Sequence, residues 1–230
     1  MKRIGILGGL GPETTAEFYT RVQELVKQEE RPDLLIMSLP ISRAKEARYI
    51  AVGEYREYYR EALLRGAVRL ERSGCTEIVI PCNTVHEFHA DIACAVKIPV
   101  ANLLTIVAEE VKRRGARAAL VLATSQTIRM RLYQNALTRV EVEVHVPSAR
   151  EQASLDQCIL ALLSNERSKK AKAKAGTKRL LERIRERTGV STTVLGCTDL
   201  QLVIRPSEHV VDSMEALAQY TANAFANGSR

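Results

Sequence analysis

Short apolar runs alternate along the chain with longer segments in which apolar residues recur at helical spacing. The short runs predict buried strands. They lie at residues 4–7, 34–39, 78–80, 99–103, 118–122, 140–146 and 190–195, with a further apolar stretch at 209–213. The longer segments predict helices at residues 14–28, 54–73, 84–96, 104–114, 125–137, 150–163, 169–188 and from Met214 onward.

This order of elements predicts an α/β fold, because strands that alternate with helices form parallel sheets covered on both faces. The pattern begins twice. A strand, a glycine loop and a helix at residues 4–26 are echoed by a strand, a Thr/Ser loop and a helix at residues 118–137. We therefore predict two pseudo-symmetric α/β lobes facing a cleft. Residues 1–103 with 211–230 form the first lobe, and residues 104–210 form the second.

Two of the predicted strands end in the same way, on a cysteine followed by small polar residues. Residues 76–85 read TEIVIPCNTV and contain Cys82, and residues 192–200 read TTVLGCTDL and contain Cys197. Backbone N–H groups and the dipole at a helix start favour negative charge, so we expect the pKa of both thiols to fall from about 8.5 toward neutrality. Short polar side chains that can orient a small ligand or cap the next helix follow both cysteines: Asn83, Thr84, Thr198 and Asp199.

The composition is that of a soluble globular protein, with 46% hydrophobic and 27% charged residues. No stretch approaches the roughly 20 apolar residues that span a membrane. The apolar run at the N-terminus is short and rich in glycine, so we interpret it as a strand and a turn rather than a signal peptide. The five cysteines contain no C-x-x-C pair, which favours reduced thiols. We therefore expect a cytoplasmic protein without a membrane partner.

The net charge of +7 is concentrated in residues 167–187, which hold ten Lys or Arg and two Glu. A basic run of this kind can bind nucleic acid. This segment contains no aromatic residue and continues into a helix through Leu180, Leu181 and Ile184. We interpret it as a solvated helix face and do not expect a nucleic-acid partner.

Three chemistries compete for the two cysteines. A cysteine hydrolase pairs one thiol with a histidine base, and His86 and His89 follow Cys82 closely, but Cys197 is then unexplained. A structural zinc site requires a ligand spacing that these residues do not have. Two opposed thiols instead suit proton transfer at one carbon, in which one thiolate removes a proton and the other thiol delivers one to the opposite face.

Four motifs, in this order, resemble the aspartate/glutamate racemase family. They are IGILGGLGPETT at 4–15, VIPCNTVHEF at 79–88, ATSQTI at 123–128 and LGCTDL at 195–200. The resemblance covers the whole chain and implies two Rossmann-like lobes, a homodimer, and no pyridoxal phosphate or metal. It also implies a cofactor-independent amino acid racemase in which Cys82 and Cys197 are the catalytic residues.

The same resemblance implies a set of substrate contacts. Asn83 and Thr84 correspond to residues that hold the α-carboxylate, and His86 corresponds to a histidine that either supports the loop or takes part in catalysis. The other candidate substrate-binding residues are Gly9, Gly11, Arg48, Thr124, Ser125, Thr127 and Thr198. The glycine loop lacks the third glycine of a dinucleotide-binding motif, so we expect no NAD.

Two positions depart from the family pattern. Aspartate-specific members bind the side-chain carboxylate of the substrate with an Arg and a Lys, whereas the aligned positions here hold Glu46 and Ser164. The substrate is therefore either acidic or another amino acid with a free carboxylate. Two further functions stay open: isomerisation or decarboxylation of a small carboxylate, and non-catalytic binding of a small acid.

Overall fold

The computed structural model describes residues 2–27, 31–164 and 166–226. Its strands are β1 (Arg3–Gly8), β2 (Asp33–Ser38), β3 (Glu77–Val79), β4 (Ala118–Ala123), β5 (Glu143–His145), β6 (Thr193–Gly196) and β7 (Val210–Asp212). Its α-helices are α1 (Pro12–Leu25), α2 (Arg43–Val52), α3 (Arg56–Arg72), α4 (His89–Ala95), α5 (Leu103–Arg113), α6 (Ser125–Arg129), α7 (Leu132–Thr138), α8 (Ala149–Leu162), α9 (Arg167–Thr188) and α10 (Ser213–Ala226). Two 3₁₀ helices cover Thr84–Phe88 and Thr198–Leu202. The predicted end of the first helix, residue 28, lies outside the described residues.

The strands form two parallel sheets, which confirms the predicted α/β class. The first sheet has the order β2-β1-β3 and the second has the order β5-β4-β6-β7. Within the first sheet Ile6 of β1 lies beside Ile36 and Val79. The central strands β1 and β4 are buried along nearly their whole length, which is why they read as continuous apolar runs rather than alternating ones.

Helix α2 was not predicted, because it presents little apolar surface: Tyr49 is its buried residue. Local backbone chemistry forms it instead. The Ser42 side chain accepts a hydrogen bond from the Lys45 N–H at its start, and Gly53, with φ 75°, ends it. The helix predicted at 125–137 is divided into α6 and α7 at Arg131, whose φ is 54°.

The strand predicted at 99–103 is reduced to a single bridge between Val100 and Ile78. Asn102 caps α5 with its side chain, so the chain is already helical from Leu103. The strand predicted at 140–146 is likewise shortened to β5, because Glu141 adopts a left-handed conformation with φ 63°.

One apolar core connects the two sheets. It includes Ile6 and Phe18 from the first part of the chain, and Val121 and Val194 from the second. The last helix joins this core through Leu217 and packs against α1 and α5. Within the described ranges no helix has the length and apolarity that a membrane span requires.

The division of the chain into lobes at 1–103 with 211–230 and at 104–210 stays a proposal. Two observations bear on where it lies. Val211, placed in the first lobe, pairs with Val194 of the second sheet. Helix α10 packs on α1 of the first part of the chain and on α5 of the second.

The loop between β1 and α1 packs closely against the end of β2. Gly9 has φ 85°, and a Cβ there would lie 2.5 Å from the backbone nitrogen of Leu39. We expect Gly9→Ala to lower the free energy of unfolding by more than the roughly 1–2 kcal/mol of the left-handed conformation alone. Gly115→Ala is the matched control, since Gly115 has φ 73° but nothing within 4 Å of its Cβ position. Equal losses in thermal unfolding would contradict the close packing at Gly9.

Candidate active site

Cys82 and Cys197 occupy corresponding positions in the two sheets. Cys82 follows β3 and precedes the 3₁₀ helix Thr84–Phe88, whereas Cys197 follows β6 and precedes Thr198–Leu202. Both therefore lie at the carboxyl edge of a parallel sheet, where α/β proteins bind ligands. Cys197 is 7% exposed and Cys82 is half-buried. The two are close enough for charge on Cys82 to raise the pKa of Cys197.

The pKa of both thiols is raised rather than lowered, contrary to the expectation of a near-neutral pKa. Burial raises the pKa of Cys82 to about 12, although the N–H groups of Val85 and Thr84 act in the opposite direction. Burial likewise raises the pKa of Cys197 well above its ordinary value. The prediction was wrong because it counted the N–H donors of the short 3₁₀ turns and left out burial and the neighbouring carboxylates.

One of these carboxylates belongs to Asp199. The Cys197 Sγ donates to its Oδ2 across 3.6 Å, and the Thr14 Oγ1 donates to its Oδ1 across 3.4 Å. Burial raises the pKa of Asp199. Asp199 therefore links Cys197, at the end of a strand of the second sheet, to helix α1, which follows the first strand of the first sheet.

We expect Asp199→Asn to lower the pKa of the Cys197 thiol, because the substitution removes the negative charge beside the S–H group. The pH dependence of alkylation, followed for each cysteine by peptide mass spectrometry, measures this shift. Exposed Cys94 is the internal control. An alkylation profile of Cys197 that is the same in both proteins would show that Asp199 does not govern this thiol.

Three threonine hydroxyls meet beside Cys82. The Thr84 Oγ1 lies 3.1 Å from the Oγ1 atoms of both Thr124 and Thr127, which lie 2.9 Å from each other. All three residues are buried. Thr84 belongs to the first 3₁₀ helix and the other two to the loop and helix after β4, so the structure brings together these predicted substrate-binding residues.

Asn83 joins elements that are far apart in sequence. Its Nδ2 donates to the Ser213 Oγ across 3.0 Å, and its Oδ1 accepts a hydrogen bond from the Tyr133 hydroxyl. Tyr133 and Ser213 were not predicted as part of the site. No sequence signal marks either residue: the glycine before Cys197 makes room for Tyr133, since a Cβ at Gly196 would lie 2.8 Å from its ring, but only the fold brings the two together.

His86 holds the Cys82 loop in place. Its Nε2 accepts a hydrogen bond from the Leu103 N–H at 3.1 Å, which places the proton on Nδ1, and Nδ1 donates to the Cys82 carbonyl at 2.7 Å. Burial lowers the pKa of His86 to about 4. Both ring nitrogens are thus occupied in the neutral form, which favours the supporting role over the catalytic one.

Other predicted site residues have partners within the protein. The Ser125 N–H and hydroxyl both donate to the carboxylate of Asp156. The Gly9 N–H donates to the Thr15 Oγ1 at 3.1 Å, and Thr198 is buried immediately after Cys197. The Ser164 Oγ donates to the Ala161 carbonyl at the end of α8.

Helix α2 presents Glu46, not Arg48, to the loop before α1. The Gly11 N–H acts on the Glu46 carboxylate, and burial, with repulsion from Asp199 and Glu13, raises the pKa of Glu46 to about 7. Arg48 lies two residues further along the helix and points to nearly the opposite side. Its side chain is 60% exposed and pairs with Glu54.

Comparison with known proteins shows which family this chain belongs to. The profile of the Asp/Glu/Hydantoin racemase family matches residues 7–221. The chain is 30% identical to the broad specificity amino-acid racemase RacX of Bacillus subtilis (strain 168), over 96% of this chain and 97% of that protein.

Two solved structures resemble the whole chain. An aspartate racemase homologue from Pyrococcus horikoshii OT3 superposes with a TM-score of 0.78 at 30% identity, covering 98% of this chain and 100% of that one. The aspartate racemase of Picrophilus torridus superposes with a TM-score of 0.81 at 23% identity, covering 98% of this chain and 95% of that one, and supports the fold. The chain belongs to the Asp/Glu/Hydantoin racemase family, and it is an amino acid racemase, an isomerase.

Proposed function

We propose that the protein interconverts the enantiomers of an amino acid by two-base proton transfer between Cys82 and Cys197. The observation that supports this most strongly is the placement of the two thiols at equivalent strand ends, both at least half-buried and electrostatically coupled. One thiolate removes the α-proton from one face of the α-carbon. The other thiol protonates the opposite face, and the two residues exchange roles in the reverse direction.

The substrate itself would supply the charge that the free site lacks. Negative charges of Glu46 and Asp199 raise the pKa of Cys82, so the α-ammonium of a bound amino acid would favour the thiolate. Asp199, which already accepts from the Cys197 Sγ, is placed to take the proton of that thiol. The raised pKa of Asp199 makes this transfer less unfavourable.

The hydroxyls of Thr84, Thr124 and Thr127 are the proposed site for the α-carboxylate. Each now bonds to the other two, so each has a proton that can turn toward a carboxylate oxygen. These donors would also stabilise the negative charge that moves onto the carboxylate when the α-proton leaves. Asn83, whose side chain is held by hydrogen bonds to Tyr133 and Ser213, would keep the substrate carboxylate at a fixed distance from Cys82.

The test is incubation of the purified protein with L- and D-amino acids in D₂O, without added cofactor, followed by NMR. The panel includes acidic, basic and neutral side chains. We expect α-deuterium incorporation and formation of the opposite enantiomer for at least one amino acid. Absence of both for the whole panel would contradict the proposed function.

A homodimer and a cytoplasmic location are further proposals. The family resemblance supports the dimer, and the free state of all five cysteines suits a reducing compartment. Multi-angle light scattering of the purified protein tests the first, and fractionation of cells that express a tagged chain tests the second.

A further inference from the structure

The buried hydroxyl of Tyr59 has no role in the proton transfer described above. Tyr59 is 1% exposed, and its hydroxyl oxygen makes no hydrogen bond with any described residue. Leaving such a group unpaired is costly, by about 1–3 kcal/mol. Native structures rarely leave one without a reason, so this hydroxyl points to a partner that arrives from outside the protein.

The position of the Tyr59 hydroxyl is fixed by its neighbours. The Tyr59 ring stacks on that of Tyr49, with centroids 4.1 Å apart and planes at 17°. The Tyr49 hydroxyl in turn donates to Glu87 at 2.6 Å. From this position the Tyr59 hydroxyl lies within electrostatic reach of both Glu46 and Cys82.

Glu46 lies on the same side of α2 as Tyr49, because residues three apart share a helix face. Its carboxylate approaches the Gly11 N–H and lies near Glu13 and Asp199. The Glu46 carboxylate and the Tyr59 phenol are thus both within electrostatic reach of Cys82, the thiol proposed to act on the α-carbon, and neither carries the transferred proton.

Acidic side chains outnumber basic ones around the Glu46 carboxylate. The carboxylates of Glu13, Glu46 and Asp199 come from three different elements of the chain. Among the described residues, Arg43 lies 3.7 Å from Glu13 and lowers the pKa of Glu46, and Lys170 acts on Asp199. Lys45 is directed elsewhere, with its ammonium 3.8 Å above the ring of Tyr58.

We propose that Glu46 and the Tyr59 hydroxyl form the side-chain subsite of the racemase and select amino acids with a cationic side chain. The inference rests on the proposed function and names its substrate class. An ammonium or guanidinium donates to the Glu46 carboxylate and to the Tyr59 oxygen, which supplies the missing partner. A side-chain carboxylate at the same place is repelled by the ionised form of Glu46. A bound cation also offsets the Glu46 charge that raises the pKa of Cys82, so substrate binding favours the thiolate.

The experiment compares L-lysine with L-norleucine, which has an uncharged side chain of similar length, and with L-glutamate. Racemisation rates are measured for the wild type, Glu46→Gln and Tyr59→Phe. Glu61→Gln is the matched control, since Glu61 is an exposed acid on α3 that pairs with Arg65. Thermal unfolding of each variant shows whether it is folded.

We expect the wild type to prefer lysine to norleucine by about 10- to 100-fold in kcat/KM, the effect of one hydrogen bond to a charged group. Glu46→Gln is expected to remove most of this preference through a loss of lysine turnover, whereas norleucine turnover is expected not to fall, because the charge that raises the pKa of Cys82 is also removed. Tyr59→Phe is expected to shift the preference in the same direction by a smaller factor, and Glu61→Gln is expected to behave like the wild type.

Three results would overturn the inference, and they differ from one another. Equal losses for lysine and norleucine in Glu46→Gln would show that Glu46 contacts the shared α-amino group or serves Cys82. Turnover of norleucine or glutamate without a preference for lysine would overturn the subsite and leave the proposed function standing. No turnover of any amino acid would overturn the proposed function and the subsite with it.

Discussion

Cys82→Ser and Cys197→Ser are each expected to slow racemisation by about 10²–10⁴-fold, the usual contribution of a general acid or base. A serine hydroxyl ionises far less readily than a thiol, so it is a poor base at neutral pH. Each direction of the reaction needs one cysteine as base and the other as acid. Each variant is therefore expected to lose both L-to-D and D-to-L conversion, as measured by circular dichroism from either enantiomer.

Cys94→Ser is the control for these two substitutions, because Cys94 is exposed and lies in α4. It is expected to retain wild-type rates. If Cys82→Ser and Cys197→Ser also racemise at wild-type rates, the two-base assignment is wrong.

His86→Ala is expected to lower the free energy of unfolding by about 2–5 kcal/mol. The substitution leaves the buried Leu103 N–H and the Cys82 carbonyl without their partner, and each unpaired group costs about 1–3 kcal/mol. Activity is expected to fall as well, since the Cys82 loop loses its support. Urea unfolding and racemisation rates measure the two effects.

Two comparisons distinguish support from catalysis. His89→Ala is the control, because His89 makes a hydrogen bond only to the Val100 carbonyl among the described residues, and it is expected to cost less. His86→Gln keeps one donor and one acceptor and is expected to recover part of both stability and activity. Full stability with complete loss of activity in His86→Ala would instead indicate a direct catalytic role.

The pH dependence of stability gives a second signature of His86. Its pKa is about 4 in the folded protein against 6.5 ordinarily, so between these values the unfolded chain binds more protons than the folded one. The contribution of His86 to stability is therefore fully present above pH 6.5 and is lost as the pH falls toward 4. The wild type is expected to lose about 3 kcal/mol more than His86→Gln across this interval.

The sequence predicts those features of the fold and the site that depend on residues close together in the chain. Buried strands such as β1 and β4 are apolar throughout, so they stand out from the amphipathic helices around them. The two cysteines are likewise visible, because each directly follows a buried strand and the motif occurs twice. Thr84, Thr124 and Thr127 could be named because their motifs resemble those of the racemase family.

The features that could not be predicted depend on contacts between residues that are far apart in the sequence. Tyr133 and Ser213 reach Asn83 from opposite parts of the second half of the chain, and no local pattern relates them. The pKa of Cys82 depends on burial and on Glu46 and Asp199, which become neighbours only in the folded protein. Helix α2 escapes prediction because caps, rather than apolar periodicity, define it.

In the proposed mechanism, the thiols, the threonine cluster and Asn83 serve groups that every α-amino acid carries. In the proposed subsite, Glu46 and Tyr59 bind the side chain. Under these two proposals, reaction type and substrate choice depend on separate residues and can be altered separately.

The most direct test of the central proposal is the early time course of one pure enantiomer with the wild-type protein in D₂O, followed by NMR of the α-proton. Two-base transfer predicts that the product enantiomer carries deuterium from its first appearance, while the remaining substrate keeps its α-proton. The reason is that the thiol on the product side brings a solvent-derived deuteron. Product that retains the substrate's proton, or deuterium that enters both enantiomers equally from the start, would indicate a single base and contradict the account.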